Sequence, residues 1–174
     1  MYGEMGALSS AGRMSDRDDP QASPGVHVPP RFFYAGAFGL GLAAHRRWPV
    51  SLLPPARFEA GQLAGLLLVL AAMALLAWAV ATFWRAKTTI IPHRRASFLA
   101  LGGPYRFTRN PMYVGMALLY LGMTLLLDSP WPLLLLPVAL LIVDRYVIRR
   151  EERHLEARFG ADFDAYRRRV RRWL

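Results

Sequence analysis

The sequence predicts an all-α integral membrane protein with about four transmembrane helices, closing in a C-terminal helical hairpin and a cytoplasmic helical tail. Three observations predict it. Hydrophobic residues make up 54% of the chain while its net charge is +10, a pairing foreign to an ordinary soluble domain. The apolar residues gather in long blocks almost free of charge, and the basic ones lie between and after those blocks. Turn formers, Pro54-Pro55, Gly102-Gly103-Pro104 and Asp128-Ser129-Pro130, mark the ends of the blocks.

Residues 1–30 are rich in Gly, Ser, Asp and Pro and lack the charged-then-apolar layout of a secretory signal, so a flexible tail is expected there. Residues 31–84 are expected to hold the N-terminal transmembrane helices. The first runs from Phe32 to about Ala44 and just spans a bilayer if it continues through Trp48 to Leu53. The second, Gly61 to Trp84, has 24 residues without a charge. At about 1.5 Å per residue that is about 36 Å of helix, against a hydrocarbon core of about 30 Å.

The polar connection 85–109 follows, with six basic and no acidic residues. It contains the short apolar patch Ser97–Leu101, expected to dip into the membrane interface. Pro111 to Leu127 reads as a third span, and Asp128-Ser129-Pro130 as a capped turn into a fourth, so that the two form a hairpin. Pro137 should kink the fourth helix, which reaches Asp144 and Arg145 after about 21 Å. Ionisable residues at that depth are functional candidates, with snorkelling to the headgroups as the plain alternative. The helix is expected to continue through REERHLEARF to a stop at Gly160, before a last short helix in DFDAYRRRVRRWL.

Ten Lys or Arg lie from Arg145 onward and six in the connection, but none in the turn between spans three and four, which turns both basic segments to the cytoplasm. Arg46, Arg47 and Arg57, on the expected outer loop, run against this pattern. Twenty-one arginines against a single lysine raise the question of nucleic acid, but no soluble aromatic platform for base stacking accompanies them. Anionic membrane lipids are the expected partner, and no nucleic acid. The absence of cysteine excludes thiolate chemistry, and His93 and His154 lack metal-ligand company, so no metal is expected.

Two polar clusters, Gly102–Tyr113 and Arg145–Leu155, should meet, because the hairpin returns the chain to the same cytoplasmic level. Together they offer tyrosine faces, arginine and asparagine hydrogen bonds, and the carboxylates of Glu151 and Glu152. That mixture can hold a polar cofactor while its reactive atom points towards lipid.

The motifs GGPYRFTRNPMYVG and EERHLEARFGADFDAYRRRV resemble those of the isoprenylcysteine carboxyl methyltransferase and phospholipid methyltransferase superfamily. Its pattern is G-x-Y-x-x-x-R-H-P-x-Y-x-G, a helical hairpin, E-E-x-x-L, and a basic F-G-x-x-(Y/F)-x-x-Y-x-x-R-V tail. The resemblance covers residues 85–172 with order and spacing kept, and implies a catalytic region over 85–174 in a prokaryotic-type member of a bacterial cytoplasmic (inner) membrane. It further implies an S-adenosylmethionine-dependent methyltransferase acting on a small or lipidic acceptor (carboxylate, amine or thiol) at the cytoplasmic surface. By position, Ser97, Phe98, Leu99, Ala100, Tyr105, Asn110, Pro111, Met112, Tyr113, Glu151 and Glu152 would line the cofactor pocket.

Within that reading a carboxylate such as Glu151 can accept ribose hydroxyls or the cofactor's ammonium group. Arg109 can pair with its carboxylate, and the amides near Pro111 are free donors at a helix start. Arg169 can close over the pocket. Asn110 stands where the family most often has histidine, which keeps a hydrogen bond and removes a titrating base. Val147 stands where a substrate-facing arginine is expected in the prenylcysteine enzymes, so Arg145 or Arg149 would have to substitute.

Plainer roles stand beside these. Glu151 and Glu152 can be surface carboxylates in helix pairs, Tyr105 and Tyr113 interfacial belt aromatics, and Gly115 and Gly122 close-packing positions on one helix face. A membrane reductase of the sterol reductase type, using a nicotinamide cofactor, shares part of the pattern. A non-catalytic protein gripping anionic lipid through its basic tail is the third reading.

Overall fold

The computed structural model describes residues 29–88 and 99–174, which are helical with no strand among them. The expected tail, up to residue 28, and the candidates Ser97 and Phe98 lie outside the described residues.

Helix α1 (Arg31–Arg47) stops before the expected extension to Leu53. Pro49 is the reason: it drives Trp48 out of the helical region, to φ −133° and ψ 82°. The amides of Leu52 and Leu53 instead donate to Asp128 Oδ1 at 3.1 and 2.9 Å. Asp128, at φ +47°, therefore ties two loops together and does not cap the following helix, whose start carries no side-chain cap.

After a 3₁₀ turn at Pro55–Arg57 comes α2 (Phe58–Thr88), 31 residues or about 46 Å long. A second 3₁₀ turn, Gly103–Arg106, leads to α3 (Pro111–Leu126). Helix α4 (Pro130–Ile142) carries Pro137 inside it and passes through a π-helical turn, Val143–Ile148, into α5 (Arg149–Phe159). The stop at Gly160 falls where expected, at φ +49°, and α6 (Ala161–Arg169) follows.

Of the spans expected, two helices among the described residues are long and apolar enough to cross a membrane, Pro55–Arg85 and Pro130–Phe159. Helix α3 is apolar but shorter. Leu63, Leu66, Leu67 and Leu70 of α2 and Leu134, Val138 and Leu141 of α4 face outwards, the surface a bilayer would cover.

The hairpin partners α3 and α4 touch only lightly; α3 packs along α2, and α4 along α1. Small residues decide these pairings. A Cβ on Gly122 would lie 2.8 Å from the Gly65 carbonyl oxygen, and one on Gly65 would lie 2.9 Å from that of Gly122. Gly65, Ala72 and Ala79, spaced by seven, form a stripe on α2 against Gly115 and Gly122 of α3. Gly41 likewise admits Pro132, 2.7 Å from where its Cβ would be. A second core, around Tyr34, Tyr120, Val143, Val147 and Ile148, binds α1, α3 and α4 at the end where the site forms.

Candidate active site

The first wall of the site starts at the Gly103–Arg106 turn. Gly103 has φ +56° and lies so close to Thr82 of α2 that a side chain there would strike its hydroxyl, which seats the turn against α2. Phe107 adds a ring contact with Trp78 of α2, centroids 6.4 Å apart. Pro111 then starts α3 at the position where a missing N–H costs nothing.

The second wall is the first turn of α5. The π-helical turn keeps Val147 and Ile148 buried, and the next residues present two carboxylates in different directions. Glu151 Oε1 accepts the Tyr113 hydroxyl at 2.8 Å. The backbone carbonyl of Tyr113 in turn accepts the hydroxyl of Tyr34, from α1, at 3.3 Å.

Glu152 goes to two arginines. Arg172 donates Nη2 to Oε2 at 2.6 Å and Nε to Oε1 at 3.2 Å, and Arg109 places Nη1 3.1 Å from Oε1. Arg172 also reaches Asp144 Oδ1 at 3.5 Å, an oxygen that accepts the indole N–H of Trp173 at 3.1 Å.

The segment after α6 forms a strap across the first wall. The Arg109 amide donates to the Arg171 carbonyl at 2.9 Å, within an isolated parallel bridge between Thr108 and Arg171. Asn110 Nδ2 and Thr108 Oγ1 both donate to the Arg172 carbonyl, at 2.9 and 3.1 Å. From α6, the Tyr166 hydroxyl donates to the Tyr105 carbonyl at 2.7 Å.

These walls enclose a cavity of about 440 Å³. Leu99, Ala100, Tyr105, Arg109, Asn110, Pro111, Met112, Tyr113, Glu151 and Glu152 line it, so the motif residues that fall within the described chain converge. Leu155, Phe163 and Tyr166, which stand in the second motif but were not expected to line the pocket, line it too, as does Phe83, which lies outside both motifs. Their spacing carried a signal: Leu155 is one helical turn from Glu151, and Phe163 and Tyr166 stand three apart on one face of α6.

Two sequence candidates are not brought to the cavity. Arg145 lies with Phe33, Leu141, Ile142 and Tyr146 in a separate groove, because the π-helical turn directs it to the side of α1. Arg169 stays exposed on α6, its Nε donating to the Ala165 carbonyl at 3.2 Å. It is Arg172, three residues on and past the end of that helix, that reaches inwards.

Burial lowers the pKa of Arg109, while Glu152 pulls it back up; an arginine remains a cation throughout. Burial raises Tyr105, with the Glu151 carboxylate adding to it, and pushes Tyr166 up to about 12. Both phenols are therefore hydrogen-bond donors at neutral pH and not bases. Glu152 has both carboxylate oxygens engaged by guanidiniums. Among the described residues no group of three or more His, Asp or Glu is placed to hold a metal.

The family described as phospholipid methyltransferase matches residues 61–162. A Haemophilus influenzae protein, itself uncharacterized, is 36% identical over 63 residues, which are 36% of this chain and 100% of that protein. No solved structure matches.

Proposed function

The chain belongs to the phospholipid methyltransferase family, a family of membrane methyltransferases, and on that premise we propose that it transfers a methyl group from S-adenosylmethionine to a small or lipidic acceptor. The observation that carries this reading is the cavity of about 440 Å³ in which both motif segments, Tyr105–Tyr113 and Glu151–Leu155, meet. Its size lies within the range of about 300–1,000 Å³ usual for small-ligand pockets.

The residues present fit the cofactor. Arg109 is buried in the wall with Nε and Nη1 lacking hydrogen-bond partners, and Glu151 offers a carboxylate. One guanidinium with unmade hydrogen bonds and one carboxylate suit the zwitterionic amino-acid end of S-adenosylmethionine. Tyr105, Phe163 and Tyr166 offer aromatic faces for its base. When bound, it supplies a methyl group already activated as a sulfonium. The walls then need to align the acceptor and exclude water, with no covalent intermediate on the protein. An amine acceptor would have to lose a proton, and with Glu152 held by Arg109 and Arg172 only Glu151 could take it, provided it is not engaged by the cofactor's ammonium group.

For the acceptor, the light contact between α3 and α4 leaves an apolar groove of about 620 Å³, lined by Leu118, Leu136, Leu140 and Trp173 among others, which supports a lipid-like molecule arriving from the bilayer. We place the site at the cytoplasmic face of a bacterial inner membrane, with α1 and α3 completing a four-span bundle, on the distribution of arginines.

The test is calorimetric binding of S-adenosylhomocysteine to the detergent-purified chain. Wild type should bind, and Glu151→Ala should bind at least about tenfold more weakly; no binding by wild type, or equal binding by both, overturns the assignment. Thermal stabilisation by NADPH without any effect of S-adenosylmethionine would favour the reductase. Isotopically labelled cofactor with lipid extracts, read by mass spectrometry, identifies the acceptor.

A further inference from the structure

Arg109 and Arg172 share one carboxylate unequally. Arg172 takes both oxygens of Glu152 in fork geometry, Nη2 to Oε2 at 2.6 Å and Nε to Oε1 at 3.2 Å. Arg109 has only Nη1 near Glu152, 3.1 Å from the oxygen that Arg172 Nε already uses, and not aligned for a hydrogen bond. Its Nε has no acceptor at all, although the side chain is only 10% exposed and lines the cavity. A buried guanidinium that has one ion contact but no aligned acceptor at Nε or Nη1 is incompletely satisfied, and that cost falls when an anion enters the cavity beside it.

Arg172 is itself fixed from several sides. Its carbonyl accepts from Asn110 and Thr108, and its guanidinium also reaches Asp144. Without that grip the Glu152 carboxylate would be free to turn and take Arg109 in the fork geometry that Arg172 now occupies. The cavity would then lose the unpartnered edge of the Arg109 guanidinium while keeping its shape.

We propose that Arg172 is a positioning residue which, by claiming both oxygens of Glu152, keeps Arg109 available to bind a carboxylate group of the ligand. The inference rests on the cofactor reading given above and adds the residue that tunes it, one lying outside the family match at residues 61–162. Asn110 gains a structural role by the same argument, since its side-chain amide holds the strap in register.

The experiment compares, on the full purified chain, the affinity for S-adenosylhomocysteine with that for its decarboxylated analogue, which keeps the amine and lacks the carboxylate. Wild type should prefer the carboxylate-bearing ligand by about 10- to 100-fold. In Arg172→Gln the preference should collapse to about threefold or less, because Glu152 now satisfies Arg109. A merely structural role would weaken both ligands alike and leave the ratio intact, and that result overturns the proposal. Should Arg172→Gln not fold, Arg172→Lys decides: a single ammonium cannot reproduce the planar two-donor fork that fixes both oxygens, so the ratio should fall part-way, and an unchanged ratio again overturns it. Failure of wild type to bind S-adenosylhomocysteine would instead remove the cofactor reading itself.

Discussion

Along the seam between α2 and α3 the helices meet where side chains are missing, whereas around Glu152 the chain is held by charges. In the seam, Gly65 and Gly122 bring two backbones into contact, and Ala72 and Ala79 are fully buried. Between helices in lipid there is little hydrophobic drive, so close approach and dispersion hold such a seam. Around Glu152 three segments far apart in sequence meet at one carboxylate, and without it Arg109 would lose its ion partner and Arg172 would keep only Asp144. The seam tolerates any neighbour of the right shape; the ion network tolerates almost none of the wrong charge. A site built at the second kind of junction acquires polarity and fixed geometry, and the first kind gives it a rigid base.

Removing the carboxylate should break the polar end most. Glu152→Ala leaves the buried Arg109 uncompensated and Arg172 with Asp144 alone, and a loss of about 3–5 kcal/mol is expected, read as thermal or denaturant unfolding in detergent. If Glu152→Ala proves milder than the seam substitution below, the contrast between the two regions is wrong.

Filling the seam comes next. Gly122→Val drives a side chain into the Gly65 carbonyl and Val69, and should cost about 1–3 kcal/mol while S-adenosylhomocysteine affinity changes little in the protein that remains folded. A large affinity change at constant stability would mean that the seam also shapes the cavity.

The smallest effect belongs to Arg169→Ala, because that side chain is exposed and its Nε bonds only within its own helix. Stability should stay within about 0.5 kcal/mol of wild type, with ligand affinity unchanged. A loss of affinity comparable to that of Glu151→Ala would restore Arg169 to the site.

Helix type and element order were legible because each long apolar block has one way to satisfy its backbone in lipid, and because Gly160 punctuates the end as expected. The stop after Arg47 was legible too, in Pro49, which outweighs the apolar run that continues to Leu53. The cavity wall was readable in the motif order, whereas Arg172 was not: a run of arginines at the end of the chain looks the same whether one of them turns inwards or all face water. The π-helical turn had no sequence signature either, and it decides that Arg145 faces α1 while Glu151 and Glu152 face the cavity.

By itself the sequence determined the class of the molecule and its family, because hydropathy blocks and motif spacing are local properties that survive without a fold. Only the tertiary structure decided which charge meets which. Glu151 and Glu152 are neighbours with the same chemistry, yet one accepts a tyrosine hydroxyl at the cavity and the other is clamped by two arginines. Successive residues on a helix point about 100° apart, so their roles follow from what the other segments bring to each side.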